Sequence, residues 1–172
     1  MRYLPILLFS LLYACTGIPE GIKVIDGFEL ERYLGTWYEI ARLDHSFERG
    51  LTDISAEYSL RDDGGVKVLN SGYDAEQGQR KTAEGKAYFI DKPDIGRLKV
   101  SFFGPFYGAY NIIALDKTAY RYVMIAGPDR DYLWILARSP ELEPSIQKDL
   151  IEQAKTLGFA TDKLIFDQHP KQ

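Results

Sequence analysis

The chain has 172 residues, 45% hydrophobic and 27% charged, a composition and length that favour one ordinary globular domain. Its net charge of −4 argues against nucleic acid as a partner, because phosphate binding requires a basic surface. The single cysteine excludes an intramolecular disulfide and a paired-cysteine zinc site, and His45 and His169 are far apart in sequence. We therefore expect neither a metal site nor a cofactor.

The first fifteen residues resemble a bacterial lipoprotein signal. Arg2 precedes an apolar run over residues 3–14, shorter than the roughly 20 residues that a spanning helix needs but suited to a signal-peptide core. The run ends in LYAC, which is similar to a lipobox although Tyr13 departs from the usual residue. The only cysteine, Cys15, then occupies the position that receives a diacylglyceryl group. The alternative is an ordinary secretory signal with a chance cysteine.

This interpretation divides the chain into a signal peptide over residues 1–14, a lipidated tether over 15–27 and a folded domain over 28–172. The tether is predicted because residues 16–27 contain three glycines and one proline. Each buried methylene of an acyl chain contributes about 0.8 kcal/mol, so two or three chains on Cys15 would hold the protein on a membrane. By resemblance to bacterial lipoproteins, Thr16 lacks the aspartate of inner-membrane retention, which implies the outer membrane.

From Trp37 onward, short runs of β-type residues alternate with turn signals, a spacing typical of a barrel or sandwich. Several runs alternate apolar and polar residues, as Ile54, Ala56 and Tyr58 do, which predicts strands with one dry face. The predicted strands are 37–44, 53–60, 66–73, 81–90, 97–103, 107–115, 120–126 and 132–138, with a short strand at 164–166.

The short connections favour antiparallel neighbours, and eight such strands can close into an up-and-down barrel without exposed edges. After the strands the period changes to that of a helix, with Pro144 near its start and Gly158 just past its end. We therefore predict a mainly β protein: an eight-stranded antiparallel up-and-down β-barrel with one C-terminal α-helix packed outside.

This topology brings the start of the first strand and the end of the last to the same end of the barrel. Trp37 and Arg138 then meet, and an arginine over an indole face is worth roughly 0.5–2 kcal/mol. Gly35 allows a tight turn before the strand, and residues 28–35 are expected to form a helical turn that plugs this end.

The motif Gly35-Thr36-Trp37, with Arg138, resembles the first and third sequence motifs of the lipocalin family. The second motif is only partly present, in Asp116 and residues 120–122. The stretches GTWYEIARLDHSFERGL, SFFGPFYGAYN and GPDRDYLWILARSP extend the likeness to the bacterial outer-membrane branch of that family. The resemblance implies that Trp37, Arg138 and Gly35 close the barrel base and do not contact ligand.

A ligand is expected inside the barrel, since eight strands enclose room for one small molecule. The strand at 81–90 presents small residues on the expected inner face, which would leave space for a ligand. The predicted lining residues are Ala56, Tyr58, Ala83, Gly85, Ala87, Phe89, Val100, Phe102, Tyr110, Ile112 and Tyr122, with Met124 beside them. The alternative is that these side chains fill a solid core.

Basic residues in the loops of the open end suggest a rim that meets an anionic head group. We single out Arg49 and Arg80 for this role, among Arg42, His45, Lys81 and Arg130 in the same loops. Scattered surface charge is the alternative for each of them. Glu39 shares the strand face of Trp37, and we expect it to be buried beside an arginine rather than to be catalytic.

The sequence therefore predicts a non-enzymatic binder, since no nucleophile, base and acid come together in it. The resemblance implies a fatty acid or a lysophospholipid as ligand, stored or transported in the cell envelope, with the barrel facing the periplasm from the outer membrane. A filled structural spacer on a lipid anchor is the alternative. A homodimer stays open.

Overall fold

A computed structural model describes residues 16–170, which form a closed antiparallel barrel. The bounds of its elements are α1 (Leu30–Tyr33), β1 (Gly35–Arg42), β2 (Leu51–Leu60), β3 (Val66–Asp74), β4 (Gln79–Phe89), β5 (Arg97–Ser101), β6 (Gly108–Leu115), β7 (Tyr122–Ala126), β8 (Leu133–Ala137), α2 (Pro144–Thr156) and β9 (Ile165–Phe166). Strands β2 to β8 pair in chain order, and β1 pairs with both β8 and β2, which closes the ring. The predicted eight-stranded up-and-down barrel and outer helix are confirmed.

The bounds of every predicted strand agree with the observed bounds to within two residues. The first strand begins at Gly35, two residues before Trp37. Gly35 has a φ of 93°, a backbone conformation that would be strained in a residue with a side chain. The predicted helical turn at the base is present as α1.

The up-and-down topology sorts the connections into two ends. Loops 43–50, 75–78, 102–107 and 127–132 lie at one end, hereafter the open end. Loops 61–65, 90–96 and 116–121 lie at the other, hereafter the closed end, where α1 precedes β1.

The core has two layers because several strands are apolar on both faces. The inner cluster fills the barrel and includes Trp37, Tyr58, Val68 and Leu136. The outer cluster lies between the barrel wall and α2. Its buried members are Ile22, Ile40, Ala41, Leu43, Ile113, Met124, Ala126, Leu133, Ile135, Ala137, Leu150, Ala154 and Phe159.

Helix α2 is held on the wall by how it begins and ends. Pro144 occupies its first turn, where its missing N–H costs nothing. At its end Gly158, with a φ of 87°, donates to the Lys155 carbonyl and Phe159 donates to the Ala154 carbonyl, the pattern of a Schellman motif. This turn directs Phe159 into the outer cluster, where it is 4% exposed.

Residues 16–27, hereafter the strap, lie against the outside of the barrel, where the sequence predicted a tether. Near the open end the strap's Gly17 carbonyl accepts a hydrogen bond from Asn111 at 2.9 Å. Further along, Ile25 exchanges backbone hydrogen bonds with Ile112 and Gly96 at 2.9 Å. These bonds and the burial of Ile22 in the outer cluster explain why a glycine-containing segment is ordered here.

The C-terminal segment fills the space near the open end where β1 and β2 no longer pair. These strands pair only over residues 35–38 of β1, and β9 pairs with β1 beyond that point. The Asp167 carboxylate accepts hydrogen bonds from the backbone N–H groups of Asp53 and Ile54 at 3.0 and 2.6 Å. The buried His169 ring lies between the Asp53 carboxylate and the Glu39 carbonyl, at 2.9 and 2.7 Å. Side chains of the C-terminal segment therefore connect β1 to β2 where the two strands no longer pair.

Trp37 and Arg138 meet at the closed end. The Arg138 guanidinium lies 4.0 Å above the centre of the Trp37 ring, which is fully buried. Arg138 also donates to the backbone carbonyls of Thr36 and Arg32 at 2.9 and 2.7 Å. A Cβ on Gly35 would lie 3.4 Å from the same guanidinium, so the glycine also makes room for it.

Replacement of Trp37 tests how much this base stabilises the barrel. We expect Trp37→Ala to lower the free energy of unfolding by about 3–5 kcal/mol, since it removes a fully buried ring and exposes the face of Arg138. Urea unfolding measures the loss. Phe103→Ala is the matched control, because Phe103 is 75% exposed and its truncation should change stability little. Equal losses in the two variants would contradict a structural role for the base.

Candidate functional site

The lower half of the barrel interior is filled by tyrosines. The hydroxyl of Tyr110 lies 2.6 Å from that of Tyr33 and 2.8 Å from that of Tyr58. Burial raises the pKa of all three phenols, so they stay neutral and can share protons as hydrogen-bond donors and acceptors.

The space beside these tyrosines is too small for a ligand. The cavity there has a volume of about 10 Å³, which at most admits one water molecule. Its lining residues are Phe28, Leu30, Tyr33, Tyr58, Val66, Val68, Ala87, Leu98 and Tyr110. The filled-core alternative therefore describes the lower half of the barrel, and a ligand must lie above it.

The upper half of the interior is open along β4. Val68 lies opposite Gly85, and Asn70 lies opposite Ala83, so these residues share the inner face of the sheet. Ala87, lower on that face, is 4% exposed, whereas Ala83 is exposed to solvent. Residues 79–84 of β4 are exposed on both faces and lie beyond its pairing with β5 at residues 86–89, so the wall ends between Ala87 and Ala83 and the inner face meets solvent there.

Two further features bound this upper chamber. A Cβ on Gly85 would lie 2.8 Å from the Phe102 ring, so the ring covers the glycine and forms one wall. Asn70, opposite Ala83 on the same face, has a buried side-chain oxygen, Oδ1, without a hydrogen-bond partner among residues 16–170. The sequence analysis did not predict Asn70 as an inward residue, although alternation along its strand places it on the same face as Val68.

Most of the predicted lining residues share the inner cluster. This cluster contains Ala56, Tyr58, Ala87, Phe89, Val100, Phe102, Tyr110 and Ile112. Gly85 and Ala83 share its face through their pairing.

Tyr122 and Met124 are corrections to the predicted lining. Both lie on the outer face under α2, and the inward residues of β7 are Val123 and Ile125. Every residue of this strand is apolar or aromatic, so alternation alone could not choose between its faces. Tyr120, two residues before the strand, has a φ of 53° and its ring in the inner cluster.

A buried charged cluster lies toward the open end of β1. A register shift after Glu39 turns Arg42 to the inner face opposite Trp134, and Arg42 Nη1 donates to Glu39 Oε1 at 2.6 Å. Loop 43–50 returns over this pair, with Glu48 accepting a hydrogen bond from Trp134 at 3.1 Å and lying 3.1 Å from His45. The loop therefore covers part of the mouth with its own polar groups.

The carboxylates of this cluster have opposite pKa shifts. Burial raises the pKa of Glu39 from 4.5 to about 8, and the charge of Glu48 adds to the rise although Arg42 opposes it. Burial also acts on Glu48, but hydrogen bonds from His45 and Trp134 hold its pKa below the ordinary value. The expected pairing of Glu39 with an arginine is present, but toward the mouth rather than at the base.

The two rim arginines are each paired with a carboxylate. Arg49, 65% exposed, lies 2.9 Å from Asp44, and Arg80, 44% exposed, is paired with Asp53. Arg80 also donates to the Asp53 carbonyl at 3.1 Å. The local charge of the rim is therefore largely neutralised, which sequence alone did not reveal.

The described residues contain neither a metal-ligand cluster nor a membrane-spanning helix. Within residues 16–170 no group of three or more His, Cys, Asp or Glu side chains is arranged to hold a metal ion. In the same range, no helix has the length and apolar character to cross a bilayer. Cys15 lies outside the described residues.

Comparison with known proteins gives close relatives over nearly the whole chain. Residues 28–169 match the family model described as a lipocalin-like domain. The outer membrane lipoprotein Blc of Vibrio cholerae is 53% identical over 98% of this chain and 99% of its own, and that of Escherichia coli K12 is 50% identical over 99% of both. Temperature-induced lipocalin-1 of Arabidopsis thaliana is 37% identical over 84% of this chain and 81% of its own.

Among solved structures, insecticyanin from the tobacco hornworm Manduca sexta superposes with a TM-score of 0.70. The match covers 91% of this chain and 88% of that one at 22% identity. At this identity the likeness shows the fold alone, and it agrees with the closed barrel described above.

Titration of Glu39 should make stability depend on pH. Because its folded pKa of about 8 exceeds its ordinary value of 4.5, the folded state binds the extra proton between these values. The free energy of unfolding should therefore fall as pH rises from about 4.5 to about 8, and this contribution should be absent above about 8.

Urea unfolding of the wild type and Glu39→Gln across this range measures the effect. The variant cannot titrate at this position, so its stability should fall less steeply with pH, whatever its absolute value. Both proteins share every histidine, which makes the difference of slopes specific to Glu39. Identical slopes would mean that Arg42 keeps Glu39 ionised throughout.

Proposed function

The chain belongs to the lipocalin family, and from that premise we propose that its barrel holds one fatty acid or lysophospholipid with the tail in the upper chamber. The observation that carries the proposal is the change along β4, from the buried Ala87 to the solvent-reached Ala83 on the same inner face. Below this level the tyrosines form a floor, and above it the barrel is open.

The shape of the chamber favours a single chain. Its walls are apolar or small near Gly85 and Phe102, which suits methylene groups. An eight-stranded barrel has space for one small ligand, and the filled lower half shortens that space further. A two-tailed phospholipid therefore fits the geometry less well than a single-chain lipid.

The head group of such a ligand would lie at the mouth. The polar groups there are the buried cluster around Arg42 and Glu48 and the rim residues Arg49 and Arg80. Each rim arginine already has a carboxylate partner, so the rim favours an anionic head only where the ligand displaces Asp44 or Asp53. The apolar walls are therefore stronger evidence for an acyl-tail site than the paired rim arginines are for an anionic head-group site.

Binding, rather than catalysis, is the activity that this arrangement favours, and lipocalins are in general binding and transport proteins. A structural spacer on a lipid anchor is the second candidate, favoured by the cavity of only about 10 Å³ in the lower barrel. Uptake of one acyl chain by purified protein distinguishes the two, since a lipid-binding protein should take up the chain and a structural spacer should not.

The outer membrane is the location that the close relatives carry in their names, and the predicted outer-membrane location is confirmed. Attachment through Cys15 and a barrel that faces the periplasm remain part of the proposal. An anchored barrel would take up or deliver single-chain lipids beside the membrane that releases them.

Blocking the upper chamber tests the ligand site. Ala83→Trp places a large ring on the open inner face, and we expect it to weaken binding of a fluorescent fatty acid by about tenfold or more. Glu84→Trp is the matched control, because the adjacent residue faces outward, where it pairs with Lys67 at 2.9 Å. Fluorescence titration measures affinity and circular dichroism the fold. Equal affinities in both variants would move the site away from β4.

Replacement of the cysteine tests the anchor. Cys15→Ser removes the only thiol of the chain, so the protein should leave the membrane fraction or accumulate as an unprocessed precursor. Fractionation and intact mass measure this, with metabolic labelling by palmitate as a direct readout. Normal processing and membrane retention of the variant would contradict lipidation at Cys15.

A further inference from the structure

The exposed apolar side chains of the barrel are concentrated at one end. Within residues 16–170, seven large hydrophobic side chains are exposed, and one of them, Leu60 at the end of β2, lies at the closed end. The other six lie in open-end loops or on the open-end parts of strands: Phe47, Tyr73, Phe103, Phe106, Ile165 and Phe166.

The three most exposed of them are phenylalanines of two open-end loops. Phe47 is 69% exposed in loop 43–50, and Phe103 and Phe106 are 75% and 69% exposed in loop 102–107. The Phe47 ring packs on the His45 ring with centroids 5.5 Å apart, whereas Phe103 and Phe106 have no ring contact among residues 16–170. Rings of this size in water are typical of a surface that another phase or partner covers.

The charge distribution at this end suits a lipid surface. Loop 102–107, FFGPFY, has four aromatic residues and no charged one. In the neighbouring loops, Arg49 is paired with Asp44 at 2.9 Å and Lys81 with Asp74 at 2.6 Å. The tip of loop 102–107 therefore carries no charge of its own toward a bilayer, whereas the exposed Glu76, Asp129 and Asp131 of two other open-end loops have no ion-pair partner among residues 16–170.

The strap begins on the barrel wall between the two ends, where Arg97, the residue after closed-end loop 90–96, donates to the Thr16 carbonyl at 3.3 Å. Asn111 Nδ2 donates both to the Gly17 carbonyl at 2.9 Å and to the carbonyl of Gly127, the first residue of an open-end loop, at 3.0 Å. Arg130 of that loop donates to the Glu20 carbonyl at 2.7 Å. The strap then returns to the wall beside its own start, where Ile25 bonds with Ile112 and Gly96, and the chain enters the closed end at Phe28, which donates to the Asp94 carbonyl at 2.9 Å.

This path determines where an anchor would attach. Thr16 is adjacent to Cys15, and one residue spans only about 3.5 Å, so acyl chains on Cys15 would start on this part of the wall. Asn111 links the same part of the wall to Gly127, the first residue of open-end loop 127–132. A free tether would have allowed any orientation, whereas a packed strap does not.

We propose that the open end of the barrel rests on the membrane, with Phe47, Phe103 and Phe106 in the interfacial region of the leaflet that holds the Cys15 acyl chains. The mouth of the chamber then opens onto lipid, and a single-chain ligand passes between bilayer and barrel without crossing water. This inference rests on the proposed function for its anchor and its ligand. A second copy of the chain is the other occupant of this surface, but it would have to cover the mouth.

Depth-dependent quenching tests the orientation. The acylated full-length protein is reconstituted in phosphatidylethanolamine and phosphatidylglycerol vesicles whose acyl chains are brominated or not. Phe103→Trp and Phe106→Trp place a reporter at the open end, and Leu60→Trp, 58% exposed in the wild type, is the matched reporter at the closed end. The emission of the unsubstituted protein is subtracted to remove Trp37 and Trp134.

We expect bromination to quench the added emission of the two open-end reporters about twofold and to leave the Leu60→Trp reporter unchanged. Quenching of Leu60→Trp alone would overturn the proposal, since the closed end would then face lipid. Equal emission of all reporters in both vesicles would overturn it as well. Burial of the open-end reporters by self-association without vesicles would assign this surface to a second copy and overturn it too.

Transfer kinetics test the consequence. The triple variant Phe47→Ser, Phe103→Ser and Phe106→Ser should extract a fluorescent fatty acid from vesicles about tenfold more slowly than the wild type. Its uptake of the same acid from aqueous solution should be unchanged, because the exposed rings do not line the chamber. Equal slowing in both assays would make these rings ligand contacts and overturn the membrane role.

The failure of the proposed function gives a different result. If neither the wild type nor the triple variant takes up fatty acid from solution, the ligand proposal fails, while the quenching experiment still reports orientation. If uptake from solution is normal and the open-end reporters are not quenched, only the orientation is wrong.

Discussion

The stack of Arg138 on Trp37 is the contact on which the rest of the barrel depends. It joins the first residues of β1 to the residue after β8, and so reinforces at the base the ring that the pairing of β1 with β2 and β8 closes. The guanidinium stays partly hydrated while its flat face covers the indole, a pairing worth roughly 0.5–2 kcal/mol before its hydrogen bonds to Thr36 and Arg32 are counted. Trp37 itself donates to the Tyr33 carbonyl at 2.8 Å, which fixes α1 beneath the ring.

The filled closed end of the barrel restricts where a ligand could lie. Aromatic rings anchored on the base fill the lower interior, so any ligand space is restricted to the upper half and opens at a single mouth. The buried Glu39–Arg42 pair lies between the two regions, where a register shift after Glu39 turns Arg42 inward beside it. Burial of such a pair adds little stability in itself, but it leaves a polar boundary near the mouth.

The outside of the barrel is as specific as the inside. Strands β7 and β8 bury both faces, one against the inner cluster and the other against α2. The strap crosses the same wall and adds Ile22 to the outer layer, which makes the N-terminal segment part of the domain. A segment held in this way transmits orientation from an anchor to the barrel, whereas a flexible linker would not.

The sequence by itself determined the strands, the outer helix and the contact at the base, because alternation, turn residues and an up-and-down order are local signals or follow directly from them. It did not determine the inward face of β7, where every residue is apolar and Tyr122 was wrongly placed inside. It also could not show that Arg49 and Arg80 find Asp44 and Asp53, or that residues 16–27 pack as a strap. Ion pairs and docking form between segments distant in sequence, so only the tertiary structure decides which partners meet.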